Sequence, residues 1–112
     1  MEHFNYYLDT LVSLRKELHQ YPEVSGKEVA TAQRIHSFLE KFPPDEIISH
    51  IGKTGIAAVY NGKEFGKIVL FRAELDALPI DEINEFEHLS LNKGVSHKCG
   101  HDGHMTILCG LA

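Results

Sequence analysis

Ile68-Val69-Leu70-Phe71-Arg72-Ala73-Glu74-Leu75-Asp76 is the stretch on which the fold turns. Its first four residues are apolar without alternation. That pattern belongs to a strand buried on both faces of an α/β sheet, not to one with a wet face. The run then meets two carboxylates two residues apart. Side chains alternate along an extended chain, so Glu74 and Asp76 point the same way. Open α/β sheets place their ligands at the carboxyl ends of their strands, which makes Glu74 and Asp76 candidate site residues. The competing reading is an Arg72–Glu74 ion pair on a solvated strand end, and the pattern alone leaves both open.

Upstream, the hydrophobic period is helical. Phe4, Tyr7, Leu8, Leu11, Leu14 and Leu18 recur at three- and four-residue steps and predict a helix over 4–20. The Tyr21-Pro22 step ends it, because a residue before proline is pushed out of the helical region. Ser25 and Glu28, three apart, have the spacing of a capping box. A second helix follows through Val29, Ala32, Ile35, Phe38 and Leu39 and stops at Phe42-Pro43-Pro44. Near residue 45 the period changes. Ile47-Ile48 and Ile56-Ala57-Ala58-Val59-Tyr60 read as short strands, and Asn61-Gly62 as a turn. Gly52-Lys53-Thr54 suggests a phosphate loop, but that loop also needs a glycine at position 47, which is Ile. Helices followed by strands, a long loop over 81–96 and a final helix predict part of an α/β domain with a mixed sheet. Asp81, Glu82, Glu85 and Glu87 in that loop read as a solvated acidic surface.

Downstream, His97-Lys98-Cys99-Gly100-His101-Asp102-Gly103-His104 gathers three of the eight histidines and one of the two cysteines. Cys99 and His101 flank one glycine, so thiolate and imidazole can converge on one ion. Asp102 stands where a helix would begin, with Met105-Thr106-Ile107-Leu108 as its body. Thiolate and imidazole suit zinc, and added carboxylates also suit manganese or cobalt. Two other readings stay open. One is a self-contained zinc knuckle from His97, Cys99, His101 and His104; the other is a reactive thiol at Cys99, since a neighbouring imidazolium or metal lowers a thiol pKa.

Composition limits the function classes. The chain has 112 residues with 43% hydrophobic and 24% charged side chains, enough for one small globular domain. A net charge of −5 argues against nucleic acid or an anionic membrane as the main partner. Two cysteines do not make a disulfide framework. With no signal-peptide pattern at Met1-Glu2-His3-Phe4-Asn5 and no apolar run of membrane-spanning length, a cytoplasmic protein is expected. The last residues, Cys109-Gly110-Leu111-Ala112, carry no cap or polar tail, so the chain reads as cut within an apolar stretch. Uncovered apolar faces would make it marginally folded or a homo-oligomer.

Four segments together resemble the metal-dependent N-acyl-amino-acid amidohydrolases, the family of hippurate hydrolases, aminoacylase-like enzymes and indole-acetyl-amino-acid hydrolases. They are Arg15-Lys16-Glu17-Leu18-His19-Gln20-Tyr21-Pro22-Glu23 with Glu28, Lys53-Thr54-Gly55-Ile56, Arg72 to Glu82 with its Ala77-Leu78-Pro79, and His97 to His104. The resemblance implies a metallo-aminopeptidase-like catalytic domain, with residues 1–112 as its N-terminal portion. The lid and dimerisation domain and the C-terminal part of the catalytic domain are absent from these residues. It implies two divalent ions (zinc or manganese, with cobalt or nickel as other options), Cys99 and His101 as metal ligands, and Asp76 as an acid beside the site. His104 would stand outside the ligand set. The substrate would be an N-acyl amino acid or similar small amide. One departure stands out: the family usually has Asp where this chain has Glu74. The general base and further ligands are not among these residues, so a catalytically inactive remnant or a small metal-binding module is the alternative.

Overall fold

A computed structural model describes residues 1–112. Three helices and a β-hairpin follow in the order α1 (Glu2–Gln20), α2 (Val29–Leu39), β1 (Glu46–Ile51), β2 (Gly55–Val59) and α3 (His101–Cys109). The helical stripe of α1 does what its spacing predicts: Leu14 and Leu18 are buried. They meet Ile35, Phe38 and Leu39 of α2 and Met105 and Cys109 of α3 in one core. Ile47, Ile56, Ala58 and Leu75 pack against its edge, so the hairpin closes one side. Truncating a fully buried leucine such as Leu18 in a core of this kind costs about 2–5 kcal/mol. Tyr7 and Phe42 meet edge to face at 5.4 Å, which ties α1 to the turn that follows α2.

The second helix starts differently from the expected capping box. Neither Ser25 nor Glu28 caps it. Glu28 accepts a hydrogen bond from the Thr54 hydroxyl at 3.0 Å instead. The cap is Glu23, whose carboxylate accepts from the backbone N–H groups of Ala30 and Thr31 and from the Thr31 hydroxyl. A carboxylate satisfies the free amides of a helix start and meets the positive end of its dipole. Because Glu23 reaches the helix across a turn, no fixed spacing announces it.

β1 and β2 pair antiparallel, Glu46 opposite Val59 and Ile48 opposite Ala57, with an irregularity between Ile48 and Ile51. The tight turn puts Lys53 at φ 92°. Gly55 is required there, since a Cβ would lie 2.6 Å from the Ile51 carbonyl oxygen. Asn61, expected in a turn, donates its N–H to the Asp45 carboxylate at 2.7 Å instead.

The expectation for Ile68 to Phe71 needs correction. These residues form no helix or strand and pair with no strand, and they are not buried: Ile68 is 98% and Leu70 82% exposed. A strand between two covered faces needs neighbouring strands for its amides and helices for its side chains. Within these residues the core spends its apolar faces on the hairpin and on Leu75, and nothing lies against 68–71. The sheet is accordingly a two-stranded antiparallel one, and no parallel strand makes it mixed. The helix-and-strand class stands.

Two short bridges then fix the chain beyond Asp76. Ala77 N–H bonds the Glu23 carbonyl at 2.8 Å, and Leu78 exchanges both backbone bonds with Ser96 at 3.0 Å. The segment carrying Glu74 and Asp76 is thus clamped between the α1–α2 turn and the residues leading into the His97–His104 loop. The loop over 81–96 has no helix or strand, as its lack of periodicity predicts. It still folds onto the end of α1, with Leu91 N–H on the Gln20 carbonyl and the Asn92 amide on the Pro22 carbonyl.

Candidate metal centre

The loop from His97 enters α3 through Gly100, which has φ 87°. That left-handed turn favours glycine and lets the chain reverse directly into the helix. His101 is the first helical residue. His104, three positions on, shares its face, and the two rings stand 5.8 Å apart.

His101 is oriented by Asp76. Its Nδ1 lies 2.9 Å from the Asp76 carbonyl oxygen and 3.1 Å from the Asp76 carboxylate. Both partners accept, so Nδ1 carries the proton and Nε2 keeps its lone pair. A carboxylate behind a histidine is the usual way a metal-binding imidazole is fixed in tautomer and direction. Asp76, read from the sequence as an acid beside the site, therefore acts on the site through His101. Asp102, which the sequence places at the start of a helix, serves a different histidine, His19.

Donor atoms of Glu74, His101 and His104 lie within 4.8 Å of one another, a spacing one cation can draw together. Cys99 is exposed, free and in no such cluster. The knuckle of His97, Cys99, His101 and His104 does not form: His97 is buried, and only His101 and His104 of the four share a cluster. Glu74 also meets Arg72 at 3.4 Å, so the surface ion pair is present as well. The other cysteine, Cys109, lies in the core, and burial pushes its thiol up to about 11, which makes it an unreactive packing group.

Directly behind the loop lies a second cluster that the sequence did not announce. His19 is 3% exposed and sits between two carboxylates: Nδ1 is 2.8 Å from Asp102 and Nε2 is 2.6 Å from Glu82. Arg15 Nε forms an ion pair with the same Asp102 oxygen at 3.0 Å, and Lys98 approaches Glu82 at 3.8 Å. Burial tends to raise the Asp102 carboxyl, but the His19 bond, the Arg15 charge and the Gly103 N–H outweigh it and hold it below the ordinary aspartate range. Glu82 is likewise held low against burial, by His19, the Ser90 N–H and Lys98. Its side chain is 3% exposed, so it is not part of a solvated acidic surface, unlike the rest of its run. The signal for this cluster was the His19 position one turn beyond Arg15 on α1, which periodicity alone assigns to either face. His97 lies beside it, buried with both ring nitrogens unpartnered. Burial keeps its ring below the ordinary histidine value, against the pull of Asp102.

Relatives share this arrangement of chain. An N-acyl-L-amino acid amidohydrolase of Geobacillus stearothermophilus is 44% identical over 91% of this chain and 27% of its own length. An N-acetyldiaminopimelate deacetylase of Bacillus cytotoxicus is 38% identical over 93% of this chain and 28% of its own. A solved Bacillus subtilis structure, described as a dinuclear metal-binding peptidase from the M20 family, superposes with a TM-score of 0.88 at 36% identity, covering 94% of this chain and 30% of that one. The chain is homologous to the M20 amidohydrolases. No protein-family model matches it. The homologous chain spans about 27–28% of the length of these curated relatives. No helix is long and apolar enough to cross a membrane.

Proposed function

We propose that these residues form part of a two-metal hydrolase that cleaves the amide bond of N-acyl amino acids or closely related small amides. The observation that carries the reading is His101, held by Asp76 at Nδ1 so that Nε2 is left as a ligand. The relatives' activities suggest the reaction class, and the donor chemistry fits divalent ions, with zinc or manganese first and cobalt or nickel as further options. When bound, such ions acidify a water and polarise the amide carbonyl. His101 would hold one ion as neutral imidazole and Cys99 would serve as a thiolate ligand. Asp76 keeps the imidazole in the productive tautomer. The buried His19–Asp102–Glu82 cluster anchors the first turn of α3, and with it the loop that carries the ligands. A base to move the water proton is not among these residues. The bare Ile68–Phe71 run is also an adhesive surface, and it supports self-association of the 112-residue chain.

The test is release of free amino acid from N-acetyl amino acids by the metal-loaded protein, in the longest form its gene encodes. Turnover that depends on added zinc or manganese and drops at least a hundredfold in His101→Ala is expected. Undiminished turnover in that variant would overturn the assignment.

A further inference from the structure

The family resemblance gives this chain's Glu74 no ligand role, because the family usually carries the shorter aspartate there. The geometry gives it one. Three donors from two elements converge: Glu74 from the clamped segment after residue 71, and His101 and His104 from the first turn of α3. A cation about 2.1 Å from each donor holds any two no more than about 4.2 Å apart, so the 4.8 Å limit closes with a shift below an ångström. His104 is already turned back over the loop: a Cβ on Gly100 would lie 3.8 Å from its Nε2. His101 offers Nε2, its other nitrogen being taken by Asp76. The Arg72 partner of Glu74 does not hold it away, since that pair is 3.4 Å long with side chains 77% and 40% exposed, and exposed pairs are weak.

We infer that Glu74, His101 and His104 form a three-donor seat for one divalent cation, completed by the extra methylene of Glu74. Two imidazoles and a carboxylate with a position left for water are the donor set of a catalytic zinc site. The inference rests on the reading that His101 is a metal ligand. It adds a ligand pair, Glu74 and His104, that the resemblance places outside the ligand set.

Cobalt(II) and zinc titrations of the 112-residue chain test it, read by calorimetry and by the visible cobalt spectrum. The variants are Glu74→Asp, Glu74→Gln, His104→Ala, His101→Ala and Cys99→Ser, each checked for unchanged helical circular dichroism. Glu74 and His104 are outside the core, so their replacement leaves the packing intact. Glu74→Asp keeps the charge and removes only the reach. The expected result is at least tenfold weaker binding, about 1.4 kcal/mol, in both Glu74→Asp and His104→Ala, with an altered cobalt ligand-field spectrum. If both bind as tightly as the unmodified chain while His101→Ala and Cys99→Ser lose the ion, the inference fails and the metal assignment stands. If His101→Ala also binds unchanged, both fail.

Discussion

Two clusters of histidine and acid lie on opposite sides of the first turn of α3, and they spend their polar atoms differently. Behind the turn, His19, Asp102 and Glu82 bond one another out of reach of water, and the half-exposed Arg15 pairs with Asp102 from the rim. In front of it, Glu74 and His101 are partly buried and His104 is exposed, and their bonds point away from the common centre: Asp76 takes Nδ1 of His101, and Arg72 loosely takes Glu74. A cluster whose groups pair internally contributes to stability and leaves nothing for a ligand. A cluster whose donors converge but stay unpaired contributes little to stability and can bind. Residue types alone do not separate the two, since both are a few histidines and carboxylates.

The sharpest way to break this comparison is to remove one charge from each side. Asp102→Ala leaves His19 and Arg15 without their shared acceptor, and breaking a buried ion pair from one side costs about 3–5 kcal/mol. Glu74→Ala should change stability by no more than about 0.5 kcal/mol, as surface substitutions do. Urea unfolding of the two variants measures both, and equal losses would show that the two clusters do not differ in kind.

The reverse contrast concerns binding. Replacing Asp76 by Asn should weaken zinc binding about tenfold, as loss of a carboxylate behind a ligating histidine does, with little change in the unfolding midpoint. Cys99→Ser should weaken binding by at least tenfold, about 1.4 kcal/mol, because a hydroxyl is a poorer ligand than a thiolate. Calorimetric titration reads both. A Cys99→Ser chain that binds as well as the original would remove the thiolate from the ligand set.

Acid should unravel the rear cluster first. Glu82 and Asp102 have folded-state pKa values below their ordinary values of 4.5 and 3.8. For a depressed carboxylate the stabilisation is fully present above the ordinary value and disappears as pH falls through the folded one. Stability should therefore be flat in these groups above about pH 5 and fall steeply below about pH 4. Glu82→Gln should flatten part of that acid limb in melts recorded from pH 3 to pH 6. An unchanged limb would show that Glu82 is not held low.

The smallest effect expected is at the rim. Lys98 stands 3.8 Å from Glu82 and is more exposed than the acid it faces. Lys98→Ala should shift stability by about 0.5 kcal/mol or less. A loss near that of Asp102→Ala would mean the cluster extends into the metal loop itself.

The sequence by itself determined the local elements and the chemistry of the loop. The three-and-four spacing of Leu11, Leu14 and Leu18 gives α1, Tyr21-Pro22 ends it, and the β-branched pairs at 47–48 and around 56–59 give the hairpin. These are decided within a turn or two of chain, which is why they can be read without a fold. The run of three histidines and a cysteine over 97–104, and the family resemblance with it, was legible for the same reason, but which of these side chains share a cluster was not. Tertiary structure decided what depends on partners distant in sequence. Ile68–Phe71 reads as a buried strand, yet burial is conferred by neighbouring segments, and none lies against it here. Glu82 reads as solvated acid but is drawn inside by a histidine 63 residues away. The sequence sets Asp76 beside the site and Asp102 at a helix start, and assigns neither to a particular imidazole. Only the packing of α1 against α3 gave Asp102 to His19 and left Asp76 for His101, because a hydrogen bond needs its two atoms within about 3 Å, and that distance is set by the fold.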